Sequence, residues 1–229
     1  TEACAPVNIS FTNTSTGCTG SESFYWLSGT GDDAIIENPV FSYITGGVYT
    51  VSLTVTCDGT PYTATIEITI FDPPIANFDE TPLQGCNPYE ATFTDLSIKG
   101  DGEITNRQWY FGDGISSYIQ NPTHVYTTSG HFNISLVVTD ANGCVSQHTS
   151  NAMVSVANPP IVSFTADQPS WCQPNHEVTF TADVLTSFAL GYTLEWDFGD
   201  GSELGTGSPV SHTYLAEGLY DVSLTVTDD

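Results

Sequence analysis

The stretch Trp109-Tyr-Phe-Gly-Asp-Gly114 sets the pattern of the chain. It is followed by Pro122-Thr-His-Val-Tyr126 and by Gly130-His-Phe-Asn-Ile-Ser-Leu-Val-Val-Thr-Asp140. The same segments return as Trp196-Asp-Phe-Gly-Asp-Gly201, Val210-Ser-His-Thr-Tyr214 and Gly218-Leu-Tyr-Asp-Val-Ser-Leu-Thr-Val-Thr-Asp228, and a more divergent copy with Trp26 and Tyr43 comes first. From Trp to the answering Tyr the spacing is 17, 17 and 18 residues in the three copies. The chain is therefore an internal repeat.

Each copy predicts the same local structure. A tryptophan just before Gly-Asp-Gly indicates a core aromatic ahead of a tight turn, where glycine supplies positive φ and aspartate bonds its own backbone. In the third segment of the first copy Tyr49, Val51, Leu53 and Val55 alternate with Ser and Thr. This period of two predicts a strand with one buried face. The signature residues are Trp26, Trp109 and Trp196, then Gly112, Asp113, Gly114, Gly199, Asp200 and Gly201, and finally Tyr43, Tyr126 and Tyr214.

Taken together, these segments resemble the PKD domain, an immunoglobulin-like β-sandwich module. The match is weaker in the first copy, where Ser28 and Thr30 replace the expected Phe and Asp, and Tyr110 replaces the usual Asp in the second. The resemblance covers nearly the whole chain. It implies an all-β fold of three tandem β-sandwiches in a rod, with a modular surface role and no catalytic residues to carry over.

The amino-acid composition limits the classes of partner that the protein can bind. The chain has 229 residues, with 27 acidic residues against two basic ones, Lys99 and Arg107, and a formal net charge of −25. Such a surface repels phosphate backbones and anionic headgroups, so we predict neither nucleic-acid nor membrane binding. No apolar run is long enough for a membrane-spanning helix. Six cysteines in small β modules favour an oxidising compartment, so we predict a secreted or cell-surface protein.

The spacing of Cys-x-Pro and two proline pairs predicts three modules. We define them as module 1 (1–72), module 2 (73–157) and module 3 (158–229), joined by the short linkers Asp72-Pro-Pro74 and Asn158-Pro-Pro160. Opening strands are expected at 75–79 and 161–166, and a closing strand of module 2 near 152–156. Module 1 then lacks its opening strand and module 3 its closing strand. We interpret the chain as part of a longer array, with neighbouring modules as its partners; a cloning boundary and strands donated by another chain are the alternatives.

The resemblance also implies how cysteines meet. In an immunoglobulin-like sandwich the B–C and F–G loops share one end. Cys18 falls in the B–C loop of module 1 and Cys57 at the end of its strand F, which predicts a Cys18–Cys57 disulfide.

The remaining cysteines leave two alternatives. Cys4, Cys86 and Cys172 are expected in A–B loops, and Cys144 follows an F–G turn at the other end of its module. One hypothesis is an intermodule Cys4–Cys144 bridge, with Cys86 bonding a cysteine beyond Asp229. The other is a Cys86–Cys144 bond inside module 2.

Metal and cofactor sites have weak support. Asp32 and Asp33 in the first copy's turn are the best candidates for Ca²⁺, because carboxylates on loops suit that ion. Zinc is disfavoured, since no Cys-x-x-Cys occurs and the histidines lack ligand spacing. His124 and His212 are expected to be structural residues beside the Gly-Asp-Gly turn. No other cofactor is predicted.

No nucleophile motif, zinc-protease motif or phosphate loop occurs, so the chain is predicted to be non-catalytic. Trp171, Tyr118 and Tyr62 lie outside the repeat's core pattern and could form a carbohydrate platform. Asn8, Asn13 and Asn133 begin glycosylation triplets.

We predict a spacer or stalk segment of a repetitive adhesin or filament, similar to those of gliding or biofilm-forming bacteria, that projects a binding tip. The alternative is a set of carbohydrate-binding accessory modules of a secreted hydrolase. If the chain is a stalk segment, a glycan or protein ligand is expected to bind elsewhere in the protein.

Overall fold

The computed structural model describes residues 1–168, 170, 175–185 and 191–228. All regular elements in these residues are β-strands, and none of this part of the chain forms a helix able to cross a membrane. The chain divides into two compact units. Unit 1 comprises Thr1–Pro82, Ala91–His124 and Phe132–Val154, and unit 2 comprises Leu83–Glu90, Val125–His131 and Ser155–Asp229. The three module boundaries given above stay predictions.

Module 1 lies in unit 1 and forms two sheets. Its strands are β1 (Glu2–Cys4), β2 (Val7–Ser10), β3 (Glu22–Leu27), β4 (Asp33–Ala34), β5 (Val40–Tyr43), β6 (Gly47–Cys57) and β7 (Thr60–Phe71). One sheet has the order β1-β7-β6-β3-β4, and the other pairs β2 with β5. Between them lies a core that includes Trp26, Phe41, Tyr43, Val51 and Ile68. The alternation in β6 forms this core because every second side chain of a strand points to the same face.

Module 2 repeats this arrangement. Its strands are β8 (Leu83–Cys86), β9 (Tyr89–Thr92), β10 (Ile104–Tyr110), β11 (Ser116–Ser117), β12 (Thr123–Tyr126), β13 (Gly130–Asp140) and β14 (Val145–Ala157). The sheet order is β11-β10-β13-β14-β8, with β9 and β12 paired separately. In unit 1 the fully buried aromatic residues of this module include Phe93, Trp109 and Phe111.

The strands of module 3 lie in unit 2. They are β15 (Ile161–Ala166), β16 (His176–Leu185), β17 (Tyr192–Asp197), β18 (Gly205–Thr206), β19 (Val210–Tyr214) and β20 (Ser223–Asp228). They form two three-stranded sheets, β15-β16-β19 and β18-β17-β20. Val178, Phe180, Trp196, Phe198 and Tyr214 are the buried cluster between them.

Two of the predicted local structures are wrong. Cys4 and Cys86 end short strands and do not lie in loops: β1 pairs in parallel with β7, placing Cys4 opposite Phe71. The segment 75–79 forms only isolated bridges, Ile75 to Ile98 and Phe78 to Asp95. The physical reason is that side chains replace the ladder there, since the Asn77 amide donates to Ser97 Oγ at 3.1 Å and the Phe78 amide to Asn77 Oδ1 at 3.0 Å.

Two predicted strands have different lengths. The closing strand of module 2 begins at Val145, seven residues before 152, because the long strand β13 lies beside it in the sheet as a hydrogen-bonding partner. The third copy of the alternating segment begins at Gly218 in the sequence, but β20 begins only at Ser223.

Candidate functional site

The first glycine of each signature turn lies against the neighbouring strand. Gly112 has φ +86°, and a Cβ added there would lie 2.7 Å from the carbonyl oxygen of Asn133. Gly29 and Gly199 occupy the same place, with φ values of +83° and +76° and distances of 2.8 and 2.5 Å to the oxygens of Thr50 and Asp221. Both the left-handed backbone and the close approach require glycine.

A stacked histidine closes this turn in modules 2 and 3. His124 lies parallel to Phe111 with ring centroids 4.3 Å apart, and its Nε2 is 2.7 Å from Asp113 Oδ2. In module 3 the corresponding distances are 4.1 Å between the Phe198 and His212 rings and 2.8 Å from His212 Nε2 to Asp200 Oδ2. The histidines are therefore structural, joining the turn to the strand that carries the signature tyrosine.

In module 1 the phenylalanine, aspartate and histidine of this contact are all replaced by other residues. Ser28, Thr30 and Phe41 stand where modules 2 and 3 have Phe, Asp and His. Ser28 Oγ lies 2.7 Å from Thr30 Oγ1, and its side chain donates to the carbonyl of Asp32 at 2.9 Å, while Phe41 is buried. A small hydroxyl network thus takes the place of the stacked rings, which explains the divergence of the first copy.

The signature tyrosines and tryptophans anchor the same turn from the core. The Tyr43 hydroxyl donates to the carbonyl of Ser28 at 2.9 Å, and that of Tyr214 donates to the carbonyl of Phe198 at 3.1 Å. Burial, with the nearby Asp200, raises the pKa of Tyr214 to about 12. Trp196 Nε1 donates to the carbonyl of Gly207 at 2.8 Å. These residues hold the fold and present no reactive group to solvent.

The equivalent contacts of the other copies vary. Trp109 Nε1 donates to the carbonyl of Gln120 at 3.3 Å, whereas Trp26 Nε1 is buried with no hydrogen-bond partner in the described part of the chain. Tyr126 is buried in the same way as the other two tyrosines. Gly114 and Gly201 have open space around the position of a Cβ, so only their φ values of +94° and +77° favour glycine.

The carboxyl group of Asp200 is expected to make the stability of module 3 depend on pH. The Ser202 hydroxyl and His212 lower the pKa of Asp200 to about 2 from 3.8, against the effect of burial, which raises it. Because the folded-state value is the lower one, this carboxylate stabilises the fold above about pH 4, and the stabilisation is lost as pH falls towards 2. When the pH is lowered from about 4 to about 2, the melting temperature of the wild type should fall further than that of Asp200→Asn. Circular dichroism measures the melting temperature. Glu203→Gln, which removes the same charge from the same turn, is the control; if its pH profile matches that of Asp200→Asn, the assignment is wrong.

Two disulfides are present in the described residues. Cys4 and Cys144 are joined with Cα atoms 5.6 Å apart, and Cys18 and Cys57 with Cα atoms 5.7 Å apart. Cys86 is a partly buried free thiol, so the structure has the intermodule pairing of Cys144 and not the Cys86–Cys144 pairing. The bond joins the end of β1 to the turn between β13 and β14. Cys172 lies outside the described residues.

The linker between modules 1 and 2 is fixed by hydrogen bonds within unit 1. The Gly46 amide donates to Asp72 Oδ1 at 2.6 Å, and the Asp72 amide donates to Asp101 Oδ2 at 2.7 Å. The Asp101 amide donates back to the carbonyl of Asp72 at 3.1 Å. A Cβ at Gly100 would lie 2.1 Å from that carbonyl oxygen. Sequence reasoning missed Asp101 and Gly100, because nothing in their local pattern indicates a partner 29 residues away.

The repeat geometry agrees with comparisons against known proteins. Residues 72–156 and 161–229 each match the profile of the PKD domain. The chain belongs to the PKD family. Its tandem PKD modules are similar to a segment of a microbial collagenase from Vibrio alginolyticus, 38% identical over 62 residues, which covers 27% of this chain and 8% of the collagenase. Collagenase ColA from Clostridium perfringens is 34% identical over 70 residues, covering 31% of this chain and 6% of that protein. The chain thus spans less than a tenth of the length of these two collagenases.

Solved structures give the fold. The PKD1 domain of Vibrio anguillarum Epp is 32% identical, with a TM-score of 0.32, covering 37% of this chain and 95% of that one. Titin domains I67–I69 are 10% identical with a TM-score of 0.51, covering all of this chain and 90% of that one. The likeness to the titin domains and the two PKD matches show that the PKD chain is an all-β protein of tandem immunoglobulin-like domains.

The candidate calcium residues are engaged in the turn of the first PKD module. Asp32 Oδ2 accepts from the Thr30 hydroxyl at 3.0 Å, and Asp33 lies in β4. Across the residues with described coordinates, His, Cys, Asp and Glu side chains are not gathered into a group of three that could hold a metal. Calcium binding stays a prediction with no cluster to support it.

The predicted surface sites are spread over the PKD modules. Tyr62 and Tyr118 are 64% and 63% exposed, and Trp171 lies outside the described residues. All three asparagines of the glycosylation triplets accept hydrogen bonds: Asn8 Oδ1 accepts from the Ser42 hydroxyl at 2.6 Å, and Asn133 Oδ1 accepts from the Ala152 amide at 2.8 Å. Asn13 Oδ1 accepts from the Ser15 amide at 2.9 Å.

Proposed function

We propose that the chain is a non-catalytic accessory segment of a secreted hydrolase, which holds a neighbouring domain at a defined spacing from its polymeric substrate. The likeness to collagenases of two bacterial genera supports the hydrolase class. Disulfides and a charge of −25 suit an extracellular setting.

One observation carries the spacing role. The junction of modules 1 and 2 is tied by the Cys4–Cys144 bond on one side and by the Asp72 and Asp101 hydrogen bonds around the linker. Flexible domain motion is the default where an interdomain contact is small and polar. A covalent bond and a hydrogen-bonded linker remove that freedom, as a spacer of fixed reach requires.

Exposed aromatic residues give the segment a means of touching a polymer. Tyr118 lies beside exposed Ile119, after the Gly-Asp-Gly turn of module 2. Tyrosines contribute strongly at binding surfaces because they bury a large apolar area and keep a polar tip. Fibrous protein is the first substrate class to test, since the relatives are collagenases, and insoluble polysaccharide is the second.

We expect the purified protein to cosediment saturably with fibrillar collagen or with insoluble cellulose or chitin. Tyr118→Ala should weaken that binding about thirtyfold, because an aromatic anchor contributes on the order of 2 kcal/mol. Tyr62→Ala is the matched variant in module 1, since Tyr62 is similarly exposed. Absence of cosedimentation with all three polymers would contradict the substrate-contact part of the proposal.

A stalk segment of a repetitive adhesin is the second candidate. The bridge between modules favours it, because a stalk also needs modules held in fixed register. The two functions differ in their neighbours, so the sequence of the surrounding gene distinguishes them: a catalytic domain supports the hydrolase, and further PKD repeats ending in a binding domain support the stalk.

A further inference from the structure

Basic residues are almost absent from this protein. The 229-residue sequence contains one lysine, Lys99, and one arginine, Arg107. A protease of the trypsin type cleaves directly after a lysine or an arginine, because an aspartate in its specificity pocket binds the cationic side chain. Such an enzyme therefore finds only two peptide bonds to attack in the whole sequence, Lys99–Gly100 and Arg107–Gln108.

The bond after Arg107 is protected by the sheet. Arg107 lies within β10, where it pairs with Val138, and the next residue, Gln108, pairs with Val137. The Arg107 side chain is 22% exposed and donates through Nε to Asp95, whose side chain is 3% exposed. A protease must reach the backbone on both sides of the bond that it cuts, so this part of the sheet would have to open first.

The bond after Lys99 lies outside the regular strands. Residues 99–103 follow the isolated bridge formed by Ile98 and precede the start of β10 at Ile104, and none of these five residues is in a strand. The Lys99 side chain is 59% exposed and pairs with Glu103, which is 75% exposed. An exposed ion pair contributes little energy, so it does not keep the lysine ammonium out of a specificity pocket.

The residues that follow Lys99 form the contact that fixes the linker between modules 1 and 2. The Asp72 amide donates to Asp101 Oδ2 at 2.7 Å, and the Asp101 amide donates back to the Asp72 carbonyl at 3.1 Å. Gly100 packs so closely on this carbonyl that a Cβ would lie 2.1 Å from its oxygen. The Lys99–Gly100 bond therefore fits into a protease only while these contacts are open. After a cut, Asp101 would lie next to a new chain end.

The Cys4–Cys144 disulfide spans the same bond. Cys4 precedes Lys99 in the chain and Cys144 follows it, so the two pieces, residues 1–99 and 100–229, would stay joined through the sulfur atoms. The loop that this disulfide closes would then be open. The restraint that a closed loop places on the chain would be lost with it.

We propose that Lys99–Gly100 is a processing site for a trypsin-type protease, which converts the fixed junction of modules 1 and 2 into a flexible one. Hydrolysis consumes one water molecule: the C–N bond between Lys99 and Gly100 breaks, Lys99 gains a carboxylate and Gly100 gains an ammonium group. Neither piece is detached, because the disulfide still joins the modules. The change applies to a spacer and to a stalk alike, so it does not depend on which neighbouring domain the segment carries.

The test treats the folded, oxidised 229-residue protein with trypsin. We expect a first cut after Lys99, seen as one full-length band on a denaturing gel without reductant and as the pieces 1–99 and 100–229 with reductant. In the cut protein, hydrogen exchange at the Asp72 amide should be at least about tenfold faster than in the uncut protein. The reason is that its acceptor, Asp101, is held from one side only.

Variants of this loop separate the cleaved bond from the contacts that cover it. Lys99→Gln should resist trypsin under conditions that cut the wild type. Asp101→Ala removes the acceptor of the Asp72 amide and should be cut about tenfold faster, because cleavage follows the population of the opened form. Glu103→Ala is the matched control, since its carboxylate bonds Lys99 and not the linker, and its rate should change by less than about threefold.

Three results would contradict the proposal. Resistance of the folded wild type to trypsin that cuts the unfolded chain, or a first cut after Arg107, overturns the processing site. Cleavage after Lys99 that leaves exchange at the Asp72 amide unchanged overturns the release of the junction. Equal cleavage rates for Asp101→Ala and Glu103→Ala would show that the linker contacts do not control access to the bond.

Discussion

Replacing Cys4 and Cys144 together by alanine is expected to lower the free energy of unfolding by up to about 5 kcal/mol. The bond closes a loop of 140 residues, and the entropy that a crosslink removes from the unfolded chain grows with loop length. It also joins two modules, so the intact protein should unfold modules 1 and 2 in one transition. In the variant we expect two transitions in urea, followed by circular dichroism and tryptophan fluorescence.

The Cys18–Cys57 bond is the matched control for this experiment. It closes 39 residues inside module 1, so its removal should cost about 4 kcal/mol at most and destabilise that module alone. If the Cys4→Ala, Cys144→Ala protein keeps a single transition at the wild-type midpoint, the bond does not couple the modules.

The second large effect is expected from Gly112→Ala, which should destabilise module 2 by about 2 to 5 kcal/mol. Left-handed backbone costs a non-glycine residue about 1–2 kcal/mol. The added methyl group would lie 2.7 Å from the Asn133 oxygen and 2.9 Å from its nitrogen, and overpacking of this kind adds about 1–3 kcal/mol. Backbone atoms of a paired strand cannot move aside as a side-chain end can. Urea unfolding of the purified variant measures the loss.

Gly114→Ala separates the two causes. Gly114 has φ +94° and nothing within 4 Å of the position of a Cβ, so only the backbone cost of about 1–2 kcal/mol applies. A loss for Gly112→Ala no larger than that for Gly114→Ala would show that the close approach to the strand does not matter.

The repeat made most of the fold predictable. Alternation in the segments that begin at Gly47 and Gly130 identified long strands with one buried face, and the strands β6 and β13 have these starts. Such a prediction works because side-chain period is a local property. The all-β, immunoglobulin-like fold class is confirmed by the PKD match and by the structural likeness to titin domains.

What sequence reasoning missed depends on distant partners. The three residues of β1 form a strand only because β7 lies beside them, and nothing within Glu2–Cys4 indicates that pairing. Residues 218–222 carry the alternating pattern but lack a ladder partner among the described residues. At the junction, Asp72 was predicted only as the start of a proline linker, yet its carboxylate accepts the Gly46 amide.

The bridge between Cys4 and Cys144 also decides which part of the polypeptide can be stretched. Tension applied at the two termini passes through the sulfur atoms and bypasses the 140 residues between them. At roughly 3.4 Å for each extended residue, a hidden length of about 480 Å stays out of reach while the bond is intact. A reductant that cleaves this crosslink would allow those 140 residues to extend. The length to which the protein can be stretched therefore depends on thiol–disulfide exchange at this bond.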